Sequence, residues 1–283
     1  MPFTTLRTRE TLALATYERQ LLCGGALLLA LALCGPAVVL PAGSHAFADQ
    51  RSLAGLPHAA DVLSNLAFLV LGIQGLVTLW RTPRPTRGQA ARDWPEGLLA
   101  LFFGGLVVTS IASGWYHLAP DDGRLVGDRL GMSIAFAGFI GLAVADRVSL
   151  RAAKAAALAI LLAGPMTVWV ISRTGNALPW GVLQFGGMAL VLLLACRAPV
   201  AGGMRLPLTA ALACYALAKL LEMGDQMVFE WTLGSVSGHS LKHLAAAAAA
   251  LPILWAMRAA AKRRHNRPGR LSGPGHAGGA LAR

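Results

Sequence analysis

Residues 97–118 read GLLALFFGGLVVTSIASGWYHL, without an Asp, Glu, Lys or Arg among them. As an α-helix this stretch is about 33 Å long, enough to cross a bilayer core of roughly 30 Å. Apolar residues follow one another rather than alternating with polar ones, so the pattern is that of a membrane helix and not of an outer-membrane barrel strand. Seven more stretches of the same kind occupy Leu21–Leu40, Asp61–Trp80, Val126–Ala145, Ala152–Ile171, Leu178–Cys196, Leu206–Met223 and Ser237–Met257. The expected fold is therefore all-α, a polytopic transmembrane bundle of about eight spans. It has no detectable internal repeat, and its connections are too short to hold a soluble domain.

Composition agrees. The 283-residue chain is 55% hydrophobic and 13% charged, against roughly 25% charged in an average soluble domain. The net charge of +12 would suggest nucleic acid in a soluble chain, but 19 of the 25 Lys and Arg residues fall in the N-terminal segment, the even-numbered connections and the C-terminal segment. By the positive-inside rule these parts are cytoplasmic, both termini included, and no nucleic-acid partner is expected. Ala46-Phe47-Ala48 could suit signal-peptide cleavage, but the apolar run is long and the segment before it carries mixed charge. The first span is read as retained. Residues 1–20 form a cytoplasmic segment, 21–40 the first span, and 258–283 a basic, disordered cytoplasmic tail. Cys23, Cys34, Cys196 and Cys214 form no Cys-x-x-Cys pair and read as small buried hydrophobes.

Ionisable groups inside membrane spans are costly, which makes them candidates for function. Here they gather at one depth, toward the outer face. The third span, running outward, ends in Ser113-Gly114-Trp115-Tyr116-His117, with Ser113 and His117 one turn apart on one face. The fourth re-enters with Asp128-Arg129. The eighth begins Ser237-Gly238-His239-Ser240-Leu241-Lys242-His243, its two histidines at i and i+4. A histidine pair on one helix turn plus a third histidine is a ligand set of catalytic zinc. Asp128 is the candidate general base and acid, the alternative being an Asp near a helix N-terminus that answers the macrodipole. Ser113 could orient the attacking water, stabilise an oxyanion, or bond back to the preceding turn. Ser64, Asn65, Lys219, Glu222 and Asp225 lie at the same depth as possible supporting groups. Lys219 and Glu222 could neutralise each other, and Glu222 or Asp225 could hold the distal nitrogen of a metal-bound histidine. His45, His58, His265 and His276 are not assigned to the site.

At these residues the chain resembles the alkaline ceramidase family, in the superfamily that also holds the adiponectin and progestin receptors and the Per1 lipid-remodelling proteins. The resemblance runs from Asp61 to about Met257, through Ser64-Asn65, Ser113 with His117, Asp128, and His239 with His243. It implies a seven-helix core over 61–257 and a zinc ion held at His117, His239 and His243. Ser113 and Asp128 would stand near the zinc-bound water, and the reaction would split the amide of ceramide into a fatty acid and a sphingoid base. The span at 21–40 is additional to that core. An acidic calcium-binding segment is replaced by Asp49-Gln50-Arg51, so calcium is not expected. An Arg-rich, Ala-rich composition suggests a bacterial inner-membrane protein. An ester-cleaving lipid hydrolase and a receptor-like signalling protein with a structural zinc are the alternative readings. A transporter fits less well, because the polar groups gather near one face rather than the midplane.

Overall fold

The computed structural model describes residues 3–40, 43–82 and 94–265. The chain forms α1 (Phe3–Cys34), α2 (Ala59–Ser64), α3 (Leu66–Arg81), α4 (Glu96–Leu118), α5 (Asp122–Arg147), α6 (Leu150–Thr174), α7 (Leu178–Ala195), α8 (Leu208–Met223), α9 (Asp225–Trp231), α10 (Gly238–Ala248) and α11 (Ala250–His265). Among the described residues the only β-pairing is in two isolated bridges, Val39 with Asn176 and Leu53 with Leu56. Among the described residues, seven continuous helical stretches are long and apolar enough to cross a membrane: Thr16–Cys34, Ala59–Arg81, Glu96–Leu118, Asp122–Arg147, Leu150–Thr174, Leu178–Ala195 and Gly238–Arg263.

Three of the long helices have a clear physical start or stop. Asp121 caps α5 by accepting the Arg124 amide at 2.8 Å, and Ser149 caps α6 by accepting the Ala152 amide at 3.1 Å. Gly175, at φ +70°, ends α6 in the left-handed conformation that glycine adopts without strain. Pro36 lies just beyond the end of α1 and has no amide hydrogen with which to continue it. In the middle of α7 the backbone widens into a π-turn at Val182–Gly186.

α4 and α5 pack along their lengths, flanked by α3 and α6; α8 pairs with α10, which leans on α2 and α3. Close approach of α4 and α5 depends on small residues. A Cβ on Gly138 would lie 2.3 Å from the Phe102 amide nitrogen. The dry interior is built from side chains such as Leu99, Phe103, Ile140, Leu142, Ile253 and Met257. Large apolar side chains also cover the outside, among them Leu158, Leu162, Trp169, Leu192 and Leu193. In water that surface would be costly; against lipid tails it is the expected one.

Four expectations need correction. The first apolar span, expected at Leu21–Leu40, is Thr16–Cys34 within a helix that begins at Phe3, and 35–40 is not helical. The predicted tail is helical as far as His265, and the remainder, 266–283, lies outside the described residues. Cys23, Cys34 and Cys196 are exposed and Cys214 is half-buried, so the cysteines face the bundle exterior rather than its core. The span predicted at Leu206–Met223 is the 16-residue α8, shorter than the other seven.

Candidate metal centre

The site is built where the end of α4 meets the start of α10. The first turn of α10 is held from both sides. Ser237 caps it by accepting the Ser240 amide at 2.9 Å. Asp61 on α2 accepts the Ser240 hydroxyl at 2.6 Å and the Ser237 hydroxyl at 3.3 Å. From the other side the Asp225 carboxylate accepts the backbone amides of His239 at 2.7 Å and Ala48 at 2.9 Å. Gly238 admits the elbow between α8 and α9, since a Cβ there would lie 2.3 Å from the Leu221 carbonyl oxygen and 2.7 Å from the Asp225 Cα.

These contacts bring His239 and His243, one turn apart, against His117 from α4. The three ring centroids form a near-equilateral triangle with sides of 4.8, 4.9 and 5.0 Å. All three side chains are buried, and one nitrogen from each ring lies within 4.8 Å of the others. His117 Nε2 and His239 Nε2 face each other at 3.3 Å. The Ser64 hydroxyl donates to the Asp61 carbonyl at 3.0 Å, which leaves its oxygen to accept the Nδ1 hydrogen of His243 at 2.8 Å. That tautomer frees the Nε2 lone pair of His243. His117 Nδ1, buried, has no hydrogen-bond partner among the described residues. Buried imidazoles whose lone pairs converge fit a cation better than they fit one another, so this group could hold a metal ion.

The triad forms part of the wall of a cavity of about 530 Å³. Apolar side chains, among them Phe102, Leu106, Phe139, Trp180 and Met188, line much of the remainder. Asp128 and Ser113 also line this space. Asp128 is the seventh residue of α5 and Asp121 is the cap, so Asp128 does not serve the helix terminus. Arg129 lies over the Trp180 ring, 5.7 Å from its centroid. Glu222 accepts from Lys219 at 2.5 Å and from Lys242 at 2.7 Å, and all three line the cavity.

The connection from α1 to α2 covers the triad. Phe47 packs on His239 and His117, with centroids 4.1 and 4.8 Å away. His45 bridges the Tyr116 hydroxyl at 2.8 Å and the Asp122 carboxylate at 2.9 Å. Asp49 accepts Arg51 Nε at 2.8 Å and Nη2 at 2.6 Å. The Arg51 guanidinium holds the Asp49 carboxyl below the usual carboxylate range.

The sequence-predicted residues thus meet in part. His117, His239, His243, Ser113 and Asp128 share one cavity wall, and Ser64 reaches a histidine ring. Asn65 Nδ2 donates to the Asp61 carbonyl at 2.8 Å and is 3.5 Å from His243 Nδ1. Of Glu222 and Asp225, either of which could have held a histidine nitrogen, the first is taken by two lysines and the second by two backbone amides. The pairing of Lys219 with Glu222 is present, and Lys242 joins it. Sequence reasoning missed Phe47 and left out His45. The one available signal was an aromatic residue and a histidine in an otherwise small-residue loop.

Fold and site together define an all-helical chain whose described residues include seven helices long and apolar enough to cross a membrane, with a buried three-histidine group that could take a metal. No family model matches the chain, and a search of curated proteins finds no match.

Proposed function

We propose that the chain is a zinc-dependent integral-membrane hydrolase that cleaves the amide of ceramide or a similar N-acyl lipid to a fatty acid and an amine. The observation that carries the reading is the wall of the cavity: three buried histidines with converging nitrogens in a space that Asp128 and Ser113 also line. Zinc in a three-histidine set supplies a Lewis acid and lowers the pKa of a coordinated water to about 7. The rest falls to the chain. The apolar walls take the acyl chain and exclude bulk water. Asp128 accepts the proton of the attacking water at a carboxylate oxygen and returns it to the departing amide nitrogen. Phe47 shields the histidines.

We read the chain as crossing the membrane eight times, with α8 as the crossing that its length alone does not establish. Two contacts support this. The Asp146 carboxylate near the end of α5 accepts the amides of Arg205 at 2.8 Å and Leu206 at 2.9 Å, just before α8. The other end of α8 reaches Glu222, paired with Lys242 on the first turns of α10. α8 therefore runs from the C-terminal end of α5 to the first turns of α10, although its 16 residues are fewer than the 26 of α5. With eight crossings and the positive-inside bias, both termini are cytoplasmic and the histidines lie toward the outer face of a bacterial inner membrane.

Metal analysis combined with mass spectrometry of products from N-acyl and O-acyl lipids tests the proposal. About one zinc per chain is expected, lost in both His117→Ala and His239→Ala. Asp128→Asn keeps its zinc and loses turnover by about 10²- to 10⁴-fold. Normal metal content in both histidine variants overturns the ligand set, and wild-type turnover in Asp128→Asn removes Asp128 from the reaction.

A further inference from the structure

The cavity carries more positive than negative side chains. Arg129, Lys219 and Lys242 face it against Asp128 and Glu222. Arg129 follows Asp128 in sequence, while two lysines share the single carboxylate of Glu222, at 2.5 and 2.7 Å. Lys242 also acts on Asp128, so the two carboxylates are shared among three cations and one positive charge is left over in the cavity, at membrane depth, where an unbalanced charge is expensive. The second observation is Tyr215, one turn before Lys219 on α8. It also lines the cavity, and its buried hydroxyl has no hydrogen-bond partner among the described residues. Lys219 lies 6.0 Å from the centre of the Tyr215 ring. A hydroxyl without an acceptor and a surplus ammonium beside it together call for an anionic oxygen group.

We propose that the cavity binds an amphiphile whose polar head is negatively charged, a carboxylate or a phosphate, seated against Lys219, Lys242 and Tyr215. Resting on the hydrolase reading, this makes the substrate class an anionic N-acyl lipid, such as an N-acyl amino acid, rather than a neutral one. The anion completes the charge balance that Glu222 leaves short, and the Tyr215 hydroxyl donates to it. Apolar walls of the same cavity take the chain.

The test compares three probes with one tail, oleate, oleyl phosphate and oleyl alcohol, bound to the full-length purified protein in uncharged detergent. At least one anionic probe is expected to bind ten times or more tighter than the alcohol, and the tighter of the two identifies the head. Lys219→Met and Lys242→Met each reduce that preference, Lys219→Arg retains it, and Glu222→Gln increases it. Equal affinity of all three probes for the unaltered protein overturns the proposal without recourse to any variant. So does a preference that survives both methionine substitutions, since the net positive charge of the chain would then account for it. A parallel turnover assay sets N-oleoylglycine against N-oleoylethanolamine. Anion-selective binding with hydrolysis of neither overturns the hydrolase reading and upholds the anion site. Hydrolysis of both at equal kcat/KM, with no selectivity in binding, does the reverse.

Discussion

Ser64 selects the lone pair that His243 offers. Its hydroxyl hydrogen is committed to the Asp61 carbonyl, so its oxygen takes the Nδ1 hydrogen and leaves Nε2 free. Removing the hydroxyl costs the histidine its orientation rather than its presence. Ser64→Ala should lower zinc affinity by about 10- to 100-fold, the usual effect of losing a partner to a metal-bound histidine, as measured by competition with a chelator. Unchanged affinity would show that Nδ1 is held by another group. Of this pair the sequence revealed only that both residues sit at one depth. Their contact spans 179 positions, and hydropathy reports depth without reporting which way around the helix a side chain points. The same blindness explains Glu222 and Asp225, either of which could have stood beside a histidine ring and which are found on lysines and backbone amides. The histidine set itself was legible because two of its members share one helix turn and the third ends a span.

At the scale of the element, α10 is the part that aims two of the three histidines, and its position depends on Gly238. A Cβ there meets backbone atoms of α8 and α9 rather than a side chain that could swing away. Gly238→Ala should therefore push the first turn of α10 off the elbow, destabilising the protein by about 1–3 kcal/mol, the cost typical of overpacking. Thermal unfolding in detergent reads the change, and a Tm equal to the parent's would mean that the elbow yields. Helix existence was readable from long apolar runs. The π-turn at Val182–Gly186 and the division of one span at Asn65 were not, because one or two polar residues in a long apolar run do not reveal a change in backbone geometry. The early start of α1 was also hidden, since charged residues mark where a span stops and do not end a helix.

At the scale of the whole molecule, the number of crossings sets where the two ends lie. Seven would put them on opposite sides and eight on the same side. α8 is about 24 Å long, against a bilayer core of about 30 Å, so length alone does not decide. Reporter fusions do. A fluorescent protein that matures only in the cytoplasm should be bright at both termini, and alkaline phosphatase, active only outside, should be silent at both. An active phosphatase at the C-terminus would leave α8 short of a full crossing.

The meeting of α4 with α10 has a last consequence. His117 and His239 are 122 positions apart in the chain yet 3.3 Å apart in space. A cation taken up between them would act as a clasp, closing a long loop of chain and joining the middle of the bundle to its last span. Folding and metal uptake would then be linked equilibria. At a free metal concentration a hundred times the dissociation constant, the clasp adds about 2.7 kcal/mol to stability. Heat resistance becomes a gauge of metal supply, readable as a Tm that falls when a chelator is added and recovers when zinc returns.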